Sequence, residues 1–193
     1  MKQIWLVRHG QSRAQAQEVD DHVDSQLSDL GRRQARRLVE PLGAVRFDRV
    51  LVSPLRRAVG TFELCGAKAG QVECDSRVIE TDWRPGYYEN HRPAPTPSFA
   101  AADRHDAWLT PADERIGAVV DELIDGSGEC MLIVAHWGIF SRLFAYFYGF
   151  PDMAGSFRME MANAAISVLQ QNDKGGRSVL YWNERGHVLD LLA

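Results

Sequence analysis

Ile4-Trp5-Leu6-Val7 and Met131-Leu132-Ile133-Val134-Ala135 are uninterrupted apolar runs of strand length, the first followed at once by Arg8-His9-Gly10 and the second by His136-Trp137-Gly138. A strand that is apolar at every position has to be covered on both faces, which is the condition of a central strand in a parallel sheet. Phe47 to Val52 is a further strand of this kind, ending at Ser53-Pro54-Leu55-Arg56-Arg57-Ala58, and Val72 to Cys74 is a short one. Helical stretches lie between them. Ser28 caps a helix running from Asp29 towards Pro41, and Ser53, with proline behind it, caps a helix reaching about Lys68. Ile116, Val119, Val120, Leu123 and Ile124 keep helical spacing between Pro111 and Gly126, and Ile139 to Phe150 is an apolar helix closed by Gly149 and Pro151. Ala165 to Gln170 and Ser178 to Trp182 flank Asn172-Asp173-Lys174-Gly175-Gly176 as an antiparallel hairpin at the sheet edge. The alternation predicts an α/β fold, a three-layer α/β/α sandwich around a mainly parallel central sheet.

With 193 residues, 45% of them hydrophobic, the chain suits one domain spanning 1–193 with a substantial core. The net charge of −4 argues against a nucleic-acid surface. Cys65, Cys74 and Cys130 stand at scattered spacings that make neither a disulfide framework nor a zinc site, so a reducing, cytoplasmic setting is expected. Arg8 ends the first apolar run well short of a signal peptide, and no segment approaches the roughly 20 apolar residues of a membrane span. Asp20, Asp21 and Asp24 around His22 read as a solvated surface loop in preference to a metal site. From about 81 to 111 periodicity disappears among Pro85, Pro93, Pro95, Pro97 and Pro111, with Trp83, Tyr87, Tyr88, Phe99 and Trp108 between them. Such a long irregular insertion either anchors itself to the body as a satellite cluster or covers the active site.

Parallel strands point their C-terminal ends the same way. The groups that follow them, Arg8-His9, Arg56-Arg57 and His136, therefore converge on one crevice. Two arginines and two histidines around one point make a pocket for a phosphoryl-sized anion, with guanidinium forks for its oxygens and an imidazole nitrogen as nucleophile or base. No GxxxxGK[ST], HExxH or GxGxxG pattern supports nucleotide, zinc-protease or dinucleotide chemistry.

The ordered set Arg8-His9-Gly10-Gln11-Ser12, Leu27-Ser28-Asp29-Leu30-Gly31-Arg32-Arg33-Gln34-Ala35, Ser53-Pro54-Leu55-Arg56-Arg57-Ala58, Glu80, Glu114-Arg115 and His136-Trp137-Gly138 resembles the histidine phosphatase superfamily in its phosphoglycerate mutase-like branch. The resemblance implies His9 as a nucleophile that becomes phosphohistidine, Arg8, Arg57 and His136 as ligands of the phosphoryl group, and Glu80 as the proton donor to the leaving oxygen. Asp82 and Glu89 are rival acids, and Glu114 either tunes a pocket residue or simply begins its helix. Ser12 joins the substrate contacts, Gln15 stands where the family often carries an asparagine, and Trp137 is a bulky wall. Arg13 is an extra cation near the nucleophile. The arginines supply the positive charge, so no metal or other cofactor is called for.

The leading reading is a metal-independent phosphomonoester phosphatase acting on a small phosphorylated metabolite. A phosphoglycerate-type mutase and a non-catalytic phosphate-binding regulatory module are the alternatives; a binder needs neither nucleophile nor proton donor. The expected partner is a small-molecule phosphomonoester, with no nucleic acid and no membrane. The aromatic residues of the insertion leave a homodimer face open.

Overall fold

The computed structural model describes residues 1–81, 110–126, 128–156 and 158–191. Among these, strands β1 (Lys2–Arg8), β2 (Arg46–Val52), β3 (Lys68–Cys74), β4 (Cys130–Ala135), β5 (Ile166–Gln171) and β6 (Arg177–Glu184) form one sheet in the order β3-β2-β4-β1-β5-β6. β1, β2, β3 and β4 run parallel, and β5 and β6 form the antiparallel hairpin, with β5 against β1. The helices are α1 (Asp29–Arg37), α2 (Val39–Gly43), α3 (Arg56–Leu64), α4 (Ala112–Asp125) and α5 (Trp137–Phe147).

The alternation of β1 divides the core. Ile4 and Leu6 face a layer built from Ile116, Val119 and Leu123 of α4 and Ile139, Phe140 and Leu143 of α5. Val7 and its neighbours Val50, Val52, Leu132 and Val134 face Leu38, Leu42 and Val59 on the α1–α3 side, closed by Val188 from the C-terminal 3₁₀ turn. This is the three-layer sandwich that the doubly apolar strands require.

Several helix boundaries differ from the expectation. The first helix breaks at Leu38, because Pro41 has no N–H to give the carbonyl of Arg37 and its ring crowds it; the chain resumes as α2. Ser28 caps α1 as expected, accepting from the Gly31 N–H at 3.1 Å. The helix after β2 starts at Arg56, not at Ser53, and stops at Leu64. Gly66, at φ +68°, turns the chain into β3 two residues later. α5 begins directly after His136 and ends before Gly149, which sits at φ +81°.

No helix among the described residues is long and apolar enough to cross a membrane. The aromatic and proline-rich residues of the insertion, with Asp82 and Glu89, fall in 82–109, outside the described residues.

Candidate active site

The parallel register brings three chain exits level. Val134 of β4 pairs with Val7 on one side and Val52 on the other, so His9, Ser53 and His136 leave the sheet side by side. Their amides continue the ladder by a step: His9 N–H donates to Ala135 O and Ser53 N–H to Val134 O, both at 3.0 Å.

His9 is buried, and two partners fix which ring nitrogen carries the proton. Nδ1 lies 2.7 Å from the Gly10 carbonyl, which can only accept, and Nε2 lies 3.3 Å from Nε of Arg57, which can only donate. The proton is therefore on Nδ1 and the Nε2 lone pair faces Arg57. Burial, reinforced by the charges of Arg57 and Arg8, holds the imidazole well below its usual pKa and keeps it neutral.

Arg57 comes from the first turn of α3. Its Nη1 donates to Val23 O at 2.8 Å, while the Asp24 carboxylate accepts from the Arg56 N–H at 2.7 Å and so caps α3 from a distance. The acidic loop expected to be solvated thus places an arginine: Asp24 is buried and also accepts from Arg56 Nε. The described residues hold no group of three metal-ligating side chains. Arg8 ends β1, and its Nη1 donates to Met161 O while its buried Nε has no hydrogen-bond partner among the described residues. Burial lowers the Arg8 pKa to about 10.

His136 is fully buried, with its ring centroid 5.0 Å from that of His9. Its Nε2 lies 2.8 Å from Ser53 Oγ, and its Nδ1 is buried with no hydrogen-bond partner among the described residues. Ser53 is a ring partner and not the helix cap that the Ser-Pro signal suggests. Burial, then the charge of Arg57, holds His136 neutral too.

Glu80 completes the cluster, buried on the N-terminus of α5. Its Oε1 accepts from the Thr81 N–H at 2.8 Å and lies against the first turn of α5 at Gly138. Burial raises its pKa, opposed by the Thr81 amide and the charges of Arg57 and Arg8. That places a buried carboxyl within electrostatic reach of both arginines.

The remaining predicted residues lie around this cluster. Ser12 Oγ accepts from Gln15 N–H at 3.2 Å, and Gln15 Oε1 accepts from Ser12 N–H at 2.9 Å, closing the loop beyond Gly10. Trp137 is half-buried at the start of α5. Arg13 pairs with Glu18 at 3.1 Å, both well exposed, so the extra cation is turned to solvent. Glu114 is exposed in the first turn of α4, where an acid suits the helix N-terminus.

Asn163 was not legible in the sequence. Its Nδ2 donates to His9 O at 3.0 Å and to Gln15 Oε1 at 3.1 Å, and the next residue, Ala164 at φ +54°, sends its N–H to the carbonyls of Arg8 and His9. The only local signal is an asparagine just before a β run. His187 Nε2 in turn holds the Ala164 carbonyl at 2.9 Å.

A parallel sheet whose strand ends present a lone-pair imidazole, a second neutral histidine, two arginines and a buried carboxyl defines a phosphoryl-transfer class, and the chain belongs to the histidine phosphatase superfamily (branch 1), which it matches over residues 4–185. It is similar to a glucosyl-3-phosphoglycerate phosphatase of Mycolicibacterium vanbaalenii, 31% identical over 78% of this chain and 76% of the relative. An adenosylcobalamin/alpha-ribazole phosphatase of Salmonella typhimurium is 30% identical over 81% of this chain and 85% of its own. The fold is that of the crystal structure of the alpha-ribazole phosphatase from Shigella flexneri, with a TM-score of 0.67, 23% identity, and coverage of 95% of this chain and 96% of that one.

Proposed function

We propose that this protein is a phosphomonoester phosphatase that turns over a small phosphorylated metabolite through a phosphohistidine on His9. The observation that carries the reading is the bonding of His9: a carbonyl on Nδ1 and an arginine N–H on Nε2 leave a neutral ring whose lone pair already faces a cation. That is the state in which imidazole attacks phosphorus.

In the first step His9 Nε2 forms the N–P bond as the P–O bond to the leaving alcohol breaks. Glu80, whose burial favours the protonated form, gives its proton to the departing oxygen. The ring becomes positively charged while Nδ1–H stays on the Gly10 carbonyl, which offsets that charge in a dry site. In the second step water attacks phosphorus, the Glu80 carboxylate takes its proton, the N–P bond breaks and inorganic phosphate leaves. Arg57, Arg8 through its free Nε, and His136 through Nδ1 hold the equatorial oxygens; with Nε2 committed to Ser53, Nδ1 is the nitrogen that His136 has left to offer. Ser12, Gln15 and Trp137 supply the remaining substrate contacts in this reading. The names of the relatives support hydrolysis over retention of the phosphoryl group.

The test is phosphate release, with chelator present, from a panel that includes glucosyl-3-phosphoglycerate and alpha-ribazole phosphate, run beside a 2-phosphoglycerate/3-phosphoglycerate interconversion assay. Release from one or a few compounds establishes the phosphatase and its substrate class. Interconversion with little release identifies a mutase, and silence in both identifies a binding module.

A further inference from the structure

Arg115, in the first turns of α4, is 3% exposed, and it spends its donors on backbone carbonyls. Its Nη1 lies 3.3, 3.0 and 3.1 Å from the carbonyl oxygens of Ser76, Arg77 and Ile79, and its Nε donates to Thr110 O at 3.0 Å. The first two carbonyls belong to the short 3₁₀ turn Ser76–Val78 and the third to its cap, Ile79, immediately before Glu80. Burying a guanidinium carries a desolvation cost that an apolar side chain of similar volume would avoid. What the arginine secures in return is the backbone that delivers the acid.

α4 grips the same segment a second time. Glu122, two turns beyond Arg115 and so on the same face of the helix, accepts from Arg77 at 2.7 Å; Arg77 also pairs with Asp75 at 2.7 Å. Glu122 and Glu73 both pair with Arg49 of β2, which ties this grip to the sheet. On its far side Ile79 packs against Leu55, and Glu80 and Thr81 lie against the start of α5.

We propose that Arg115 is a positioning residue for Glu80, its Nη1 holding the carbonyls of the 76–79 turn while Nε is anchored on Thr110, so that the carboxyl stays against the first turn of α5. The proposal rests on the assignment of Glu80 as proton donor. It is separable from a direct effect on His136, whose ring also feels the Arg115 charge. Arg115→Lys keeps that charge but ends one bond short of the Nη1 position and gives up the Nε bond to Thr110.

The experiment compares Arg115→Lys, Glu80→Gln and the double variant on phenyl phosphate, whose leaving group needs a proton, and 4-nitrophenyl phosphate, whose leaving group does not. Arg115→Lys is expected to lower kcat about tenfold or more on phenyl phosphate and less than about threefold on 4-nitrophenyl phosphate, with KM little changed, and to add no loss to Glu80→Gln. Equal losses on the two esters, or losses that multiply in the double variant, overturn the proposal while leaving the acid assignment standing. If Glu80→Gln itself slows both esters equally, the acid assignment falls and the proposal with it. Should Arg115→Lys not fold, Glu122→Gln, at a half-exposed position, loosens the same segment through Arg77 and has to reproduce the leaving-group pattern; an equal slowing of both esters there is again a refutation.

Discussion

Glu80 occupies the space that a side chain at position 138 would need: a Cβ on Gly138 would stand 2.6 Å from Glu80 Oε1 and 2.8 Å from Thr81 Oγ1. The glycine after His136-Trp137 lets the carboxyl of one chain segment rest on the first turn of a helix from another. Acid and second histidine thereby share one rigid support.

Gly138→Ala is therefore expected to displace Glu80 while leaving α5 intact. Turnover of esters with poor leaving groups should fall by about 10²-fold or more, with a much smaller loss on 4-nitrophenyl phosphate. An alanine variant with wild-type rates on both would show that the carboxyl position does not limit the reaction.

His9→Ala should abolish turnover, by about 10³-fold at least, with little change in the unfolding midpoint. Acid-quenched wild-type enzyme given substrate should carry acid-labile phosphate, and the variant should not. Substantial residual hydrolysis by the variant would reject His9 as the nucleophile.

Ser53→Ala removes the partner of His136 Nε2 in a buried site, where an unpaired polar group costs about 1–3 kcal/mol. The expected result is a lowered midpoint together with a kcat loss of about tenfold, since the ring orientation that leaves Nδ1 to the substrate is no longer held. Threonine at the same position keeps the hydroxyl and should recover most of the activity; if alanine and threonine behave alike, the bond is not what orients the ring.

Stability should fall on acidification from neutral pH. His9 and His136 are held well below 6.5 in the folded protein, so below pH 6.5 the unfolded chain binds up to two more protons than the folded one. Each contributes about 1.4 kcal/mol per pH unit until its folded pKa is reached. Glu80 acts in the opposite sense: its raised pKa favours the folded state below 4.5 and that contribution is lost as pH rises through the folded value. Urea midpoints measured from pH 7 to 5 should decline, and less steeply in His136→Asn; parallel profiles for the two would show that His136 is not held neutral.

Gly31→Ala and Gly43→Ala should move stability in opposite directions. A Cβ at Gly31 would run into the Gln11 carbonyl, where α1 meets the loop beyond His9, whereas nothing lies within 4 Å of one at Gly43. The first should cost about 1–3 kcal/mol or more and the second gain about 0.5–1 kcal/mol, read as shifts in thermal midpoint.

Much of this protein was determined by its sequence alone, because strands apolar at every position leave no choice but burial on both faces, and strands buried in that way alternating with helices run parallel. Parallelism then carries Arg8-His9, Arg56-Arg57 and His136 to one end of the sheet with no further information. Tertiary structure decided what those side chains bond to, since the partners come from distant parts of the chain and no local pattern marks them. Ser53 reads as a helix cap until β2 and β4 lie side by side and place His136, 83 residues away, against its hydroxyl. Asn163 reaches His9 across 154 residues only because β5 turns back along β1. Asp24 looks like one acid in a solvated run until α3 presents an uncapped N–H to it. Hydrophobic periodicity is written into each segment by its own residues, but a buried polar group is satisfied by whatever donor or acceptor packing brings within about 3 Å, and that is settled only when the whole chain has folded.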